Sequence, residues 1–188
     1  MITDKLSSIV ANYIKHHQKR AEKELHWFAI QPSLARAVSL AALARGPGNK
    51  RFSHQRRLQE PVLAEGRRRL LQAIGRLQRA SSFDELFSFV ESCIGDVDGI
   101  GELTVYDTAL RIGAKLNLEP GRVYLHRGTR EGARRLGIGS SDLSIPIDRL
   151  PPPLRKLKAR EIEDVLCIYK DDFGVNELQA GASLKQKC

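Results

Sequence analysis

Cysteine, tryptophan, methionine and long apolar runs are all scarce in this chain of 188 residues. Its three cysteines, Cys93, Cys167 and Cys188, are odd in number and far apart. That pattern excludes a disulfide framework and matches no zinc-ligand spacing, so reduced thiols in a cytoplasmic protein are expected. No stretch approaches the length and apolarity of a membrane span. Met1-Ile2-Thr3-Asp4-Lys5 lacks the charged-then-apolar order of a signal peptide. Phosphate loops, dinucleotide-binding glycine fingerprints and the Gly-x-Ser-x-Gly elbow are missing too. Gly99-Ile100-Gly101 lacks the third glycine and the preceding strand that nucleotide binding needs. No cofactor, metal ligand set or catalytic residue is therefore expected.

Acidic residues are sparse where basic ones are dense. The formal net charge is +9, from 31 Lys and Arg against 22 Asp and Glu. Residues 1–80 hold 16 Lys and Arg against 5 acids, whereas residues 81–120 hold 2 against 8. A basic surface of this kind points to a polyanion or an acidic partner.

Apolar residues make up 41% of the chain and recur mostly with helical period. A first helix capped by Asp4 or Thr3 runs to about Phe28, carrying Leu6, Ile9, Val10, Tyr13 and Ile14 on one stripe. Trp27 and Phe28 anchor its end. The adjacent His16 and His17 diverge on a helix and read as a solvated pair. A second helix spans about Ser33 to Ala44 and stops at Gly46-Pro47-Gly48. The loop Asn49 to Arg57 joins Lys50, Arg51, Arg56 and Arg57 to Phe52 and to hydrogen-bonding side chains, a composition suited to nucleic acid. One helix is predicted from Pro61 to Ala80. Its Arg67, Arg68, Arg69, Arg76 and Arg79 suit phosphates through the planar guanidinium fork, or could lie against an acidic segment or partner.

The acidic segment that follows has the most pointed pattern. Ser82 and Glu85 form a capping box, and Phe83, Leu86, Phe87, Val90 and Ile94 keep helical spacing. The helix stops near Gly95. Val97-Asp98-Gly99-Ile100-Gly101-Glu102-Leu103-Thr104 then leads into a second helix marked by Leu103, Tyr106, Ala109, Leu110, Gly113 and Leu116. Both glycines are expected in conformations hard for a residue with a Cβ.

Val97, Gly99, Ile100, Gly101 and Thr104 resemble the helix-hairpin-helix motif of DNA repair and recombination proteins. The likeness is closest to the base-excision glycosylases and covers Cys93 to Gly137, about a quarter of the chain. It implies a hairpin whose backbone N–H groups, with the second helix's N-terminus, hold a DNA phosphate without reading sequence. Two departures imply that the family's enzymatic site is missing. Leu103 stands where lyase-type members carry a catalytic lysine, and Arg122–Thr129 has no carboxylate where they place an aspartate. Glu102, Asp96, Asp98 and Asp107 also surround the hairpin with negative charge.

Beyond the hairpin, Val123-Tyr124-Leu125 reads as a short extended piece. Thr129 is expected to cap a helix running to Leu136, with Gly137 and Gly139 ending it. Ile145-Pro146-Ile147 and Pro151-Pro152-Pro153 read as extended segments. A last helix spans about Ala159 to Tyr169. Glu161, Glu163, Asp164, Asp171 and Asp172 read as a solvated acidic face, and His126 as a structural histidine near the hairpin.

The expectation is a mainly α protein, a helical bundle built around the helix-hairpin-helix with little or no sheet. A single helical domain would span 1–173: basic helices over 1–80, the core motif over 81–137 and a C-terminal segment over 138–173. A polar tail, 174–188, would follow. The function expected is non-enzymatic binding of duplex DNA through Gly99, Ile100, Gly101, Thr104, Lys50, Arg51, Arg56, Arg57, Arg67 and Arg68. A protein-interaction module, or a nucleic-acid enzyme using His126 or the C-terminal carboxylates, are the alternatives.

Overall fold

A computed structural model describes residues 2–138 and 141–173. The helix stop expected at Gly139 and the tail expected from Gly174 lie outside the described residues. Among the described residues the protein is mainly helical, with one small sheet of two strands. Among the described residues, no helix is long and apolar enough to cross a membrane. By packing, the chain divides into two compact units: residues 17–120, and residues 1–16 together with 121–188.

The unit of residues 17–120 holds α2 (Lys19–Ala29), α3 (Leu34–Ala42), α4 (Glu60–Gln72), α5 (Ile74–Gln78), α6 (Phe83–Ile94) and α7 (Glu102–Leu116). Helix α7 is its centre and packs against α2, α3 and α6. Thr104, Val105, Tyr106, Thr108, Ala109, Arg111, Ile112 and Gly113 are all buried along it. Ser33 and Ser82 cap α3 and α6 by accepting from the N–H groups of Arg36 and Glu85, as their positions favour. The Glu85 carboxylate reaches back to the Ser81 N–H at 2.8 Å, one residue before the cap. Helix α3 ends sooner than the Gly46-Pro47-Gly48 signal suggests, because Ala44 turns the backbone left-handed at φ +52°. The single helix expected from Pro61 to Ala80 is two. The break falls at Ala73, two residues before Gly75, whose missing side chain weakens a helix interior. The turn lets Leu77 of α5 become fully buried.

The other unit combines α1 (Ile2–Tyr13), β1 (Arg122–Tyr124), α8 (Arg127–Arg135), β2 (Ser144–Pro146) and α9 (Ala159–Ile168). The helical path from α1 passes through a π-helical stretch, Ile14–Gln18, so the first helix is not one uniform α-helix. Strands β1 and β2 pair antiparallel, with Val123 opposite Ile145. Their core joins Leu6, Val10 and Tyr13 to Val123, Leu154, Ile162 and Leu166. Tyr13 is fully buried and its hydroxyl donates to Asp164 Oδ2 at 2.7 Å. Burial and that carboxylate hold the phenol well above its usual range.

Helix α8 lies directly on α9. A Cβ added to Gly132 would stand 2.1 Å from the Leu166 carbonyl oxygen, and one on Gly128 would stand 2.9 Å from Cys167 Sγ. These two glycines, four residues apart, share one face of α8 and remove the side chains that would hold the helices apart. Helix α8 begins earlier than expected. His126, not Thr129, is its N-cap, accepting from the Gly128 N–H through Nδ1 at 3.2 Å. Thr129 is the reciprocal partner: its Oγ1 accepts from the His126 N–H at 2.8 Å. Threonine is the commoner cap type, but here the imidazole supplies the acceptor and the hydroxyl serves three residues on.

Candidate nucleic-acid interface

Between α6 and α7 the chain makes a tight exposed turn. Gly99 sits at φ +88°, a region that L side chains rarely adopt, and the Ile100 N–H donates to the Val97 carbonyl at 2.9 Å. Gly101 differs from expectation. Its φ of −102° and ψ of 172° are extended backbone open to any residue, and a Cβ there would meet nothing within 4 Å. Its side of the turn is exposed, and Gly101, the N-cap of α7, makes no side-chain cap bond. The Thr104 N–H donates to the Gly101 carbonyl at 2.9 Å.

Two of the residues expected to contact a ligand turn inward instead. Ile100 is buried, within 3.2 Å of where a Gly66 Cβ would be, and Thr104 is buried as well. They fix the turn and leave its glycine backbone outside.

Helix α4 braces this turn through one stripe, Val62, Gly66 and Arg69, spaced by four and three residues. Val62 lies 3.4 Å from where a Gly99 Cβ would be. Arg69 Nη1 donates to Asp96 Oδ1 at 2.6 Å and Arg69 Nε to Glu65 Oε1 at 2.8 Å. The bond from Arg69 holds the Asp96 carboxyl below its ordinary range, and the bonds from Arg68 and Arg69 hold Glu65 at about 2. Part of the negative charge around the turn is thus already paired. Arg69 thus lies against the acidic segment, one of the placements the sequence allows for the arginine run.

On the other side, the basic loop is pinned to α7. His54 Nε2 and Asp107 Oδ2 share a hydrogen bond of 2.7 Å. Asp107 thereby holds the His54 imidazolium above its ordinary pKa, against the opposing effects of burial and of Arg111. The side chain of Arg111, 3% exposed, lies 3.9 Å above the Phe52 ring and bonds Gln55 Oε1 at 2.8 Å and Glu24 Oε1 at 3.0 Å. Phe52, expected among the ligand-contacting groups, therefore serves the fold as the platform for Arg111.

Arg51 is likewise engaged within the fold: its guanidinium bonds the Leu58 carbonyl at 2.5 Å and the Glu60 carboxylate. Arg68 is exposed but tied to Glu65 and Gln72. Lys50, Arg56, Arg57 and Arg67 are exposed, and none pairs with a described residue. In the chain, Arg56 and Arg57 lie between His54, bonded to Asp107 of α7, and Val62, packed against Gly99. Asp107 itself is five residues from the start of α7, about 7.5 Å along a helix.

His126 belongs to the other unit. It is buried, and its Nε2 bonds Glu163 Oε1. The solvated acidic face expected of α9 is corrected there. Glu161 and Glu163 are both buried, Glu161 with its carboxylate accepting from the Lys158 N–H at 2.9 Å. Cap and core contacts turn these carboxylates inward, which helical phase alone does not reveal. No family model, curated protein or solved structure matches the chain.

Proposed function

We propose that the protein is a non-enzymatic nucleic-acid-binding protein that grips the duplex DNA backbone. In this reading the turn of residues 95–101 and the N-terminus of α7 form a helix-hairpin-helix, and Lys50, Arg56, Arg57 and Arg67 neutralise neighbouring phosphates. The observation that carries it is the uncapped start of α7 behind Gly101, which is exposed and has open space where a side chain would stand. Backbone N–H groups at a helix start attract an anion, and a glycine there lets a phosphate come close. Such contacts position DNA without reading bases.

The test is fluorescence anisotropy of the full chain on a short labelled duplex across about 50–200 mM salt. The expected result is a linear fall of log affinity with log salt. Alanine at Lys50, Arg56, Arg57 and Arg67 together should flatten the slope by roughly 0.9 for each phosphate left without its cation. Gly101→Val should lower affinity several-fold while the fold persists. Superimposable curves for the wild type and four-fold variant would remove the basic loop from the interface. No binding by the wild type at any salt would retire the reading in favour of a protein partner.

A further inference from the structure

Within the unit of residues 17–120, Arg45 and Arg51 face each other across an isolated antiparallel bridge. The turn that joins them is tight. Gly48 and Asn49 stand at φ +66° and +59°, and the Gly46 N–H donates to the Lys50 carbonyl at 2.9 Å. Residues opposed in this way put their side chains on one face, where like charges repel. The pair therefore needs an anion, and Glu60 supplies it. Arg45 Nη2 donates to Glu60 Oε1 at 3.2 Å and to Oε2 at 3.1 Å, and Arg51 Nη2 donates to the same Oε2.

Three observations make this carboxylate a replaceable occupant. Two guanidinium groups share one carboxylate, and Lys50, beside Arg51 in the chain, is exposed. Positive charge is left in excess. The two arginines also keep their places without Glu60. Arg45 Nη1 donates to the Asn49 carbonyl at 3.0 Å, and Arg51 Nη1 to the Leu58 carbonyl at 2.5 Å. Exposure divides the partners in the same sense: the Glu60 side chain is 54% exposed, those of Arg45 and Arg51 only 26% and 16%. A carboxylate so placed turns to water at small cost.

We propose that Arg45 and Arg51 form a binding site for a phosphomonoester, the terminal phosphate of a nucleic-acid strand, which displaces Glu60. The nucleic-acid source rests on the function proposed above; the clamp itself does not. Charge selects the monoester. A backbone phosphodiester carries one negative charge, so its exchange for Glu60 gains none. A terminal phosphate carries about −1.5 to −2 at neutral pH and offers three acceptor oxygens. It balances two guanidinium groups and gives each its own oxygen, where Glu60 Oε2 must serve both.

Two measurements on the full chain test this. The first is fluorescence anisotropy of a short duplex whose strand ends carry either phosphate or hydroxyl groups, at one salt concentration. The wild type should prefer the phosphorylated ends. Glu60→Gln, which removes the competing charge, should widen the preference by about tenfold, the scale of one hydrogen bond to a charged group. Arg45→Gln should erase it. The second is the melting temperature in inorganic phosphate against chloride at equal ionic strength. Phosphate stabilises proteins in general, so the readout is the difference between variants. Glu60→Gln should melt below the wild type in chloride and regain the loss in phosphate. A salt bridge that serves only the fold would be lost without that recovery. If Arg45→Gln fails to fold by circular dichroism, the wild type and Glu60→Gln still decide. Duplex binding blind to the end groups in both proteins, with no recovery in phosphate, would overturn the site and leave the DNA grip at the α7 turn intact. Recovery in phosphate without binding of any duplex would overturn the nucleic-acid ligand, and the proposed function with it, in favour of a small phosphate.

Discussion

Helices α7 and α8 begin in opposite ways. Helix α7 starts behind an exposed glycine that makes no side-chain cap bond, whereas α8 starts under a buried histidine that accepts from its second residue. The surroundings differ in the same sense. In the unit of α7 the cations Lys50, Arg56, Arg57 and Arg67 are exposed, whereas in the unit of α8 the charged Glu161, Glu163 and Arg160 are buried. An open helix start backed by solvated cations suits a large polyanion that supplies the missing acceptors itself. A closed start, filled by the protein's own groups, leaves no N–H of that turn for an outside anion and serves the packing of α8 on α9. The same backbone feature is thus left open to solvent in one unit and is closed by an internal histidine in the other.

The largest effect should come from reopening the closed start. At Gly132 an added Cβ would meet the Leu166 carbonyl oxygen and carbon at 2.1 and 2.9 Å, both of them backbone atoms that cannot rotate away. Gly132→Ala should therefore lift α8 from α9 and cost about 3 kcal/mol, the upper end of ordinary overpacking. Chemical denaturation gives the number. A loss under about 1 kcal/mol would show that the two helices separate easily, and that His126 is only loosely seated over Glu163.

The open start is the more legible of the two in the sequence. Helices α6 and α7 follow from apolar spacing, from Ser82 and from the glycines, all local signals. The stripe Val62, Gly66, Arg69 is present in the sequence as well. It stays hidden there because an arginine run looks alike on every face until the helix phase is fixed by what it packs against. The closed start leaves no such trace. Histidine is an uncommon cap, and Thr129 three residues on is the usual type. Glu163 lies 37 residues from His126 in the chain. The pairing of Tyr13 with Asp164 spans 151 residues, so the joining of the first sixteen residues to the last third is a tertiary fact with no local signature.

A smaller effect separates the two glycines of the open turn. Gly99 at φ +88° would carry a Cβ in a strained conformation and 3.4 Å from Val62. Gly99→Ala should cost about 1–2 kcal/mol. Gly101→Ala, in extended backbone with nothing near its Cβ, should stay within about 0.5 kcal/mol of the wild type. Thermal melts of the two variants side by side make the distinction. Equal losses would mean that Gly101 is required by the turn itself, and would remove the reason to assign it to ligand approach.

The smallest effect sharpens a second pairing, for each helix has its own histidine–carboxylate bond. His126–Glu163 is buried, whereas the His54 side chain is 45% exposed against Asp107. The hydrogen bond to Asp107 raises the pKa of His54 in the folded protein above its value in the unfolded chain. A raised value means that the folded state binds the proton more tightly. The stabilisation is therefore complete below about pH 6.5, the unfolded value, and is lost as pH rises through the folded one. Solvent screens so exposed a pair, which limits the effect to about 0.5 kcal/mol. The measurement is the melting temperature of the wild type and of His54→Gln from about pH 5.5 to 8.5. The difference between them should be largest at the acidic end and shrink toward the alkaline end. Two parallel curves would show that the bond contributes nothing to stability that depends on its proton, and that the contacts of Arg111 with Phe52 and Gln55 hold the basic loop against α7.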